Sequence, residues 1–221
     1  MDEESIPASL IDTGARRTLR LGVLISGSGT NLQAFIDRIA EGSLDGTVAV
    51  VISDKDSAYG LVRAQQAGIP AIFLCRSDFE DITGYNRELA RLLVEHDCDL
   101  VVMAGYMRLL GRRVLEAFPG RVMNIHPALL PSFPGASGIN DAFAYGAKVT
   151  GVTVHFADES FDRGPIIAQE AVAVEETDDV ETLEAKIHAV EHRLYPDAIQ
   201  LFADGRLVIE GRKVRVLPPR A

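Results

Sequence analysis

Short apolar runs alternate with amphipathic stretches along most of this chain, and this alternation limits its possible folds more than any other feature. The runs are nearly continuous in Val, Ile and Leu, which is typical of parallel strands covered on both faces. They are LRLGVLIS (19–26), TVAVVIS (47–53), PAIFL (70–74), DLVVMA (99–104) and GRVMNI (120–125). Helical patterns lie between them, most clearly at 31–39 and 82–96. Strand–helix units in series predict an α/β fold with a doubly wound, mostly parallel Rossmann-like sheet.

The second half of the chain predicts different elements. Residues 126–138 are rich in Pro and Gly and predict a long ordered loop, and 150–157 with 165–174 predict an antiparallel hairpin. A long helix is expected over 178–203, and two short strands follow it, around 207–210 and 213–217. The inward stripe of that helix is expected to consist of Leu183, Ile187, Val190, Leu194 and Leu201.

The domain organisation predicted from these elements is simple. We see no linker, internal repeat or low-complexity run after residue 18, so one domain is expected over 19–221. Residues 1–18 predict a disordered N-terminal extension, because they precede the first apolar run and carry no periodic pattern.

Charge and cysteine content narrow the function classes. The 22 Lys+Arg against 32 Asp+Glu give a net charge of −10, which argues against nonspecific nucleic-acid binding. A phosphorylated small molecule stays possible, because backbone amides bind phosphate without net positive charge. The sequence has no apolar segment of about 20 residues, the length that spans a bilayer, so no membrane partner is expected. The acidic N-terminus and two cysteines, Cys75 and Cys98, favour a cytoplasmic protein.

A glycine-rich turn, Ser26-Gly-Ser-Gly-Thr-Asn31, directly follows the first predicted strand and opens the first helix. Amide groups at a helix start favour anions, and glycine lets a phosphate approach closely. The turn is not the dinucleotide fingerprint, because Leu32 stands at its third glycine position, nor a Walker A loop, because no lysine follows. The alternative is a tight turn in which glycine serves conformation alone.

Asn124 and His126 stand at the end of the fifth strand, where alternation sends both side chains to one side. An amide donor beside an imidazole suits acyl transfer, because the amide stabilises an oxyanion and the imidazole moves a proton. The alternative is a polar strand end facing solvent. A carboxylate next to His126 would stabilise the imidazolium and fix its tautomer. The candidates are Asp158, Glu159 and Asp162 in the hairpin turn.

His188, Glu191 and His192 match the H-x-x-E-H zinc motif on the long helix. Such a site needs a further downstream ligand, and few acidic residues follow, so we favour a polar or substrate-contacting helix face and expect no metal. His96 and His155 are interpreted as structural.

Five segments together resemble the phosphoribosylglycinamide formyltransferase family of purine biosynthesis. They are LGVLISGSGTNLQAFID (21–37), VVMAGYMRLL (101–110), GRVMNIHPALLPSFPG (120–135), 149–169 and EHRLYPDAIQLFADGRL (191–207). The NIHPxLLP segment is shared with a wider formyltransferase group that includes formyltetrahydrofolate deformylase. The ISGSGTNL turn is the narrower signal and accompanies a phosphoribosyl substrate.

The resemblance implies transfer of a formyl group from 10-formyltetrahydrofolate, as co-substrate, to the amine of 5′-phosphoribosylglycinamide. By motif position, the catalytic residues it implies are Asn124, His126 and Asp162. The residues implied for the phosphoribosylglycinamide are Gly29, Thr30, Asn31, His188, Ala189, Val190 and Glu191. Those implied for the folate are Met107, Arg108, Leu109, Leu110, Asn124, Asp158, Glu159, Ser160, Phe161 and Asp162. Small-molecule partners and a monomer or homodimer are expected.

The chain departs from the family pattern at two positions. Ser137 stands where family members usually carry a histidine near the active site, and Ile82 stands where an arginine often lines the folate side. Arg76 is a candidate substitute for that arginine.

The hypothesis for the reaction is direct attack of the amine on the formyl carbon through a tetrahedral intermediate, without a covalent enzyme intermediate. Three alternatives stay open. They are another formyl-folate-dependent formyltransferase or deformylase, an NAD(P)-binding oxidoreductase with Asp54 on the ribose, and a non-enzymatic phosphosugar-binding module.

Overall fold

The computed structural model describes residues 18–160 and 162–219, so the predicted extension over 1–18 lies outside the described residues except for Thr18. The strands are β1 Leu19–Ile25, β2 Gly46–Ser53, β3 Ala71–Phe73, β4 Leu100–Met103, β5 Val122–His126, β6 Val149–Phe156, β7 Ile166–Ala173, β8 Leu207–Glu210 and β9 Lys213–Val216. The α-helices are α1 Thr30–Ala40, α2 Tyr59–Gln66, α3 Ile82–Glu95, α4 Arg112–Ala117, α5 Gly138–Tyr145 and α6 Val180–Ala203.

The described strands form one sheet in the order β3-β2-β1-β4-β5-β6-β7-β9-β8. The strands from β3 to β5 are parallel, and β6 then pairs antiparallel with both β5 and β7. The last two strands, β8 and β9, form a short antiparallel pair at the edge. The predicted fold class, a mostly parallel doubly wound sheet with a C-terminal antiparallel portion, is confirmed.

Both faces of the parallel strands are buried, which explains their continuous apolar sequences. On β1, Leu21, Val23 and Ile25 pack into a core layer with α1, α2 and α6, whereas Leu24 packs into a second layer with α3 and α4. Side chains that alternate along one strand therefore pack into two core layers, one on each face of the sheet, and helices cover both layers.

Helix capping sets where two of the predicted helices begin. The Asp81 carboxylate accepts a hydrogen bond from the Gly84 amide at 2.7 Å at the start of α3. At the start of α6, Asp179 and Thr182 form a reciprocal capping box. None of the helices within residues 18–160 and 162–219 is long and apolar enough to cross a membrane.

The structure differs from the sequence predictions in two places. The predicted loop over 126–138 is followed at once by α5, which the sequence analysis did not predict. The fully buried stripe of α6 includes Glu191 and Tyr195, whereas the predicted Leu201 is only half-buried. Hydropathy did not indicate this stripe, because Glu191 and Tyr195 are polar residues whose burial depends on partners elsewhere in the chain.

The topology brings the candidate residues to one edge of the sheet. The strands β1, β4 and β5 are adjacent and parallel, so their carboxyl ends, with Ser26 after β1 and His126 closing β5, meet at that edge. Two strand spacings of about 4.8 Å separate β1 from β5. In open α/β sheets this edge is where ligands bind.

Candidate active site

The glycine turn leads directly into α1. Gly29 is the N-cap residue and has a left-handed backbone with φ of 71°, and a Cβ there would lie 2.6 Å from the Cα of Gly60. Only glycine fits this close approach of two backbones. The first turn of α1 carries no acidic side chain, so its amides and dipole favour an anion.

A buried polar pair lies next to this turn. The Asn31 side-chain amide donates to the Glu191 carboxylate at 3.0 Å, although the two residues are 160 positions apart. Burial raises the pKa of Glu191, while the hydrogen bond from Asn31 opposes that rise. The Asn31 side-chain oxygen is buried and has no hydrogen-bond partner in the part of the chain that the structure describes. The pair is therefore polar, buried and incompletely satisfied, which is typical of a ligand site.

The other residues predicted on α6 do not all share this face. His188 lies one turn before Glu191 and is half-buried, with its Nε2 3.8 Å from Glu184. Ala189 is exposed and Val190 packs against the core, so their side chains are directed elsewhere. Of the predicted α6 residues, only His188 and Glu191 share a face near the glycine turn.

The zinc-motif residues do not converge on one point. Glu191 contacts Asn31, and the rings of His188 and His192 stack with centroids 6.1 Å apart. Burial, together with His188 and Arg63, lowers the pKa of His192. Within the described ranges, no three His, Cys, Asp or Glu side chains are arranged to hold a metal ion.

Tyr195 fixes α6 against the sheet one turn beyond Glu191. Its buried hydroxyl lies 2.9 Å from the Met123 carbonyl of β5 and 3.2 Å from the Met103 carbonyl of β4, where it donates. Burial raises the pKa of Tyr195 well above its ordinary value. This anchor holds the Asn31–Glu191 pair at a fixed position relative to the end of β5.

Asn124, His126 and Asp162 form one cluster at the end of β5. The Asn124 side-chain nitrogen donates to Asp162 Oδ1 at 3.3 Å, and His126 Nδ1 lies 3.4 Å from Asp162 Oδ2. A backbone amide, that of Gly135, donates to the same Oδ2 at 2.8 Å. The carboxylate therefore contacts both the amide and the imidazole, as an acyl-transfer site requires.

His126 is held by acceptors on both ring nitrogens. Its Nε2 lies 2.7 Å from the Phe133 carbonyl oxygen, which can only accept, so this nitrogen carries a hydrogen. The ring is only 3% exposed, and Nδ1 faces Asp162. Both ring nitrogens therefore face oxygen atoms that accept hydrogen bonds.

His155, which the sequence analysis interpreted as structural, belongs to the same cluster. Its Nδ1 donates to the Phe156 carbonyl at 2.9 Å, and its Nε2 lies 3.2 Å from the Asn124 side-chain nitrogen and 3.6 Å from Asp162 Oδ1. His155 of β6 pairs in register with Asn124 of β5. The antiparallel register of β5 and β6 would have identified His155 as a member of the cluster, but the sequence alone does not determine that register.

The turn after β6 brings Asp162 back over the strand ends. Asp162 has a left-handed backbone with φ of 54°, and Gly164 follows, where a Cβ would lie 1.7 Å from the Phe156 carbonyl oxygen. Burial acts to raise the pKa of Asp162, but hydrogen bonds from His155 and Gly135 and the charge of His126 outweigh it, and the pKa is lowered. Asp162 is thus held as a carboxylate.

Residues 107–110, part of the predicted folate site and called the folate wall below, follow β4. Met107 and Leu109 are 59% and 39% exposed, whereas Leu110 is buried. Arg108 instead forms an ion pair with the buried carboxylate of Asp54 at 2.6 Å.

Asp54 also links this wall to the glycine turn. Its Oδ1 accepts from the Ser26 hydroxyl at 2.6 Å, and that hydroxyl accepts from the Met107 amide at 3.0 Å. Both Asp54 oxygens are engaged, so the carboxylate is not open to a ribose as the oxidoreductase alternative requires.

The turn residues predicted for the folate differ in their surroundings. The Asp158 carboxylate accepts from the Ser160 amide at 2.8 Å within an exposed turn, and Glu159 is exposed. Phe161 lies outside the described residues. Of the described residues in this segment, only Asp162 joins Asn124 and His126.

The two positions that depart from the family pattern lie at the margins of the site. Ser137 is exposed and precedes α5 without a side-chain capping bond. Ile82 is 47% exposed, and Arg76 donates to the Phe79 carbonyl at 2.9 Å.

A glycine turn at a helix start and an amide–imidazole–carboxylate cluster, both at one edge of a doubly wound sheet, are the features expected of a group-transfer enzyme of the α/β class. The formyl transferase family profile matches residues 19–199. A Bacillus subtilis phosphoribosylglycinamide formyltransferase is 40% identical over 181 residues, covering 82% of this chain and 93% of that protein. The Escherichia coli protein of that name is 42% identical, covering 86% and 89%.

A solved structure gives the same result. The glycinamide ribonucleotide transformylase 1 of Symbiobacterium toebii has a TM-score of 0.89 and 54% identity, covering 91% of this chain and 95% of that one. The chain belongs to the formyl transferase family and resembles its phosphoribosylglycinamide formyltransferases throughout the described fold. It is a formyl-transferring enzyme.

Proposed function

We propose that the protein transfers a formyl group from 10-formyltetrahydrofolate to the amine of 5′-phosphoribosylglycinamide, a step of de novo purine biosynthesis. The observation that carries the proposal is the Asn124–His126–Asp162 cluster at the same sheet edge as the glycine turn. The names of the relatives support the acceptor, and the family supports a formyl-folate donor.

The ribonucleotide is expected to bind along α1 and α6. Its 5′-phosphate binds the amides of Gly29, Thr30 and Asn31, where the helix dipole favours negative charge. A ribose hydroxyl satisfies the free oxygen of Asn31 and the Glu191 carboxylate, which removes the unpaired buried atom. The glycinamide then extends toward the end of β5.

The folate is expected to bind against residues 107–110, the segment that follows β4. Exposed Met107 and Leu109 provide an apolar face for a flat ring, and backbone groups of residues 107–110 provide polar contacts. The Asp54–Ser26–Met107 hydrogen bonds hold this wall against the glycine turn, which fixes the distance between the two substrates.

The transfer itself needs a new N–C bond and the loss of an old one. The glycinamide nitrogen attacks the formyl carbon and gives a tetrahedral oxyanion, which the Asn124 amide and the His126 imidazolium stabilise. The bond from the formyl carbon to N10 of the folate then breaks. The proton lost by the attacking amine passes to N10, with His126 as the relay.

The present contacts must rearrange for this step. The Asn124 hydrogen bonds, at 3.2 and 3.3 Å, are long and easily exchanged for a bond to the oxyanion. The Phe133 carbonyl is hydrogen-bonded to His126 Nε2, and this bond must break when the substrates bind. Catalytic hydrogen bonds commonly tighten only in the complex.

The test is an absorbance assay of donor deformylation with the purified protein. Formyl transfer predicts loss of donor only when phosphoribosylglycinamide is present. The KM for an acceptor that lacks the 5′-phosphate is expected to be at least about tenfold higher than the KM for phosphoribosylglycinamide, because charge-assisted hydrogen bonds are lost. Donor hydrolysis that does not need the acceptor would instead support a deformylase, and ribonucleotide binding without turnover would support a phosphosugar-binding module.

Asp162→Asn is expected to lower kcat at neutral pH and to remove the part of the acid limb of the kcat–pH profile that Asp162 causes. The pKa of Asp162 is lowered, so the carboxylate that contacts Asn124 and His126 takes up a proton only at acidic pH, and asparagine removes that ionisation. Asparagine tolerates the left-handed backbone at this position, so the fold is retained. Steady-state rates across the pH range measure both effects.

The matched control is Asp158→Asn in the same turn, which removes an equal charge outside the cluster and is expected to leave the profile unmoved. A wild-type kcat with an unchanged acid limb in Asp162→Asn would remove Asp162 from the catalytic group.

Glu191→Gln is expected to weaken ribonucleotide binding and to stabilise the free protein. KM for the acceptor rises by about tenfold, since a charge-assisted hydrogen bond is lost. The raised pKa of buried Glu191 means that its ionisation destabilises the fold as pH rises above the unfolded value. Glutamine carries no such charge, so Tm at neutral pH rises by about 2–4 °C for each kcal/mol removed.

Thermal unfolding at several pH values checks this prediction. The advantage of the variant is expected to shrink toward pH 4, where both states of the wild-type chain hold the proton. Exposed Glu175, which precedes α6, gives the control, and its glutamine variant should change neither KM nor Tm appreciably. A wild-type KM in Glu191→Gln would exclude Glu191 from acceptor binding.

A further inference from the structure

A cavity of about 670 Å³ continues from the predicted folate wall, between the start of α3 and the start of α4. Leu109 and Leu110 belong to both the wall and the cavity, so a ligand lying on the wall has a direct path into it. Ile82 adds a further apolar side chain to its lining. The cavity is therefore a continuation of the folate site away from the catalytic cluster.

The shape of this cavity is fixed by one buried side chain. The Asn86 amide nitrogen donates to the Ile82 carbonyl at 2.8 Å, and its oxygen accepts from the Gly111 amide at 2.8 Å. A Cβ at Gly111 would lie 2.6 Å from the Asn86 side chain, so the two segments meet without room to spare. These contacts hold the starts of α3 and α4 together, so this part of the cavity is preformed.

Positive charge collects at the α4 side of the cavity. Arg112 and Arg113 both line it, and both share one acid, with Arg112 Nε 2.8 Å from Glu116 and Arg113 Nη1 3.4 Å from Glu116. Two cations against one carboxylate leave a local surplus of one positive charge in a chain of net charge −10. In the described residues the two Nη nitrogens of Arg112 make no hydrogen bond, so they can bind an anion.

The other arginines near this end are committed elsewhere. Arg108 is bound to buried Asp54 at 2.6 Å, and Arg76 donates to the Phe79 carbonyl at 2.9 Å. Neither side chain lines the cavity, whereas Arg112 and Arg113 do. Family members often carry an arginine at the position of Ile82. The cavity lining favours Arg112 and Arg113 of α4, rather than Arg76, as the residues that replace this arginine.

We propose that Arg112 and Arg113 bind the carboxylates of the glutamate tail of the folate donor. This proposal rests on the proposed function, since it assumes a formyl-folate. The ring system lies on Met107 and Leu109, the benzoyl part crosses Leu110 and Ile82, and the γ-linked glutamates reach the two guanidinium groups. Guanidinium matches carboxylate in geometry, and longer tails supply more carboxylates to the same pair.

The test compares 10-formyltetrahydropteroate, which has no glutamate, with the mono- and triglutamate donors. In the wild-type protein KM should fall as glutamates are added. The double variant Arg112→Gln/Arg113→Gln should raise KM for the triglutamate donor by about 5- to 10-fold. Its KM for the glutamate-free donor, its KM for the ribonucleotide and its kcat should not change.

Two further variants sharpen the result. Glu116→Gln releases both arginines from their shared acid and is expected to lower KM for the triglutamate donor. Arg91→Gln removes an exposed, ion-paired arginine of α3 that does not line the cavity, and it should change nothing. Calorimetric binding of unformylated tetrahydropteroyl-triglutamate gives a readout that does not depend on turnover.

The outcomes separate this proposal from the proposed function. Equal KM values for all three donors in an active wild-type protein, or an unchanged triglutamate KM in the double variant, overturn the anchor and leave formyl transfer intact. A wild-type protein that binds none of these folates and transfers no formyl group overturns both. An equal loss of affinity for the glutamate-free donor would show a general effect on the cavity and would also reject the anchor.

Discussion

Replacing His126 by alanine is expected to lower kcat for formyl transfer by about 10²- to 10⁴-fold, the usual contribution of a positioned acid–base group. The ring nitrogens face Asp162 and the Phe133 carbonyl, so the alanine variant loses a positioned hydrogen-bond donor and the proposed proton relay. In the proposed function, the substrates bind residues of α1, α6 and the segment 107–110. KM values should therefore change far less than kcat.

Steady-state kinetics, together with circular dichroism and thermal unfolding, measures this effect. His126 is buried, so alanine leaves a cavity, and His126→Gln serves as a second variant that fills more of the space. His96→Ala is the control, because His96 ends α3 away from the cluster. Near-normal turnover in folded His126→Ala or His126→Gln would reject the catalytic role.

Replacing Asn124 by alanine is expected to lower kcat by about 10²- to 10³-fold, the typical cost of one oxyanion donor. The side-chain nitrogen lies at the end of β5, with Asp162 and His155 orienting it at 3.3 and 3.2 Å. Its bond to the reacting oxygen strengthens as charge develops. The loss is therefore expected in kcat and kcat/KM alike, with KM little changed.

Two comparisons check the Asn124 prediction. Asn140→Ala removes an exposed asparagine from α5 and should leave the kinetics unaltered. The double variant Asn124→Ala/His126→Ala should cost about as much as the worse single variant, because residues that act as one unit are not additive. A fully multiplicative loss would indicate that the two side chains act independently.

The arrangement of the sheet could be predicted because its signal is local. Each parallel strand is a short apolar run, since both of its faces are buried, and each helix shows a stripe on one face. The short helix α5 escaped prediction because it follows a Pro- and Gly-rich segment and is only eight residues long. Short helices depend on tertiary packing more than on their own sequence.

The candidate catalytic cluster of Asn124, His126 and Asp162 could be predicted in part for the same reason. Alternation in β5 brings Asn124 and His126 to one side, and this needs no knowledge of distant residues. The choice of Asp162 among three carboxylates came from the family resemblance. The position of its side chain depends on the left-handed backbone of Asp162 and on the close approach of Gly164 to β6, and neither can be inferred from the sequence alone.

The long-range partners could not be predicted at all. The Asn31–Glu191 bond joins residues 160 positions apart, and the place of His155 depends on a strand register that sequence alone leaves open. Burial of Glu191 and Tyr195 on α6 likewise follows from partners on other elements. Hydropathy gives no sign of such burial, because the hydrogen bonds that make it possible cross the fold.

Direct transfer requires one cleft that holds both substrates, so that the formyl group passes from the folate to the amine without leaving the site. A single-turnover rapid-quench experiment, with donor labelled with ¹⁴C in the formyl group, tests this proposal. Label is expected to leave the donor and to appear in phosphoribosylglycinamide at the same rate, with none attached to the protein. Label recovered as free formate, or held covalently on the chain before it reaches the acceptor, would rule out direct transfer.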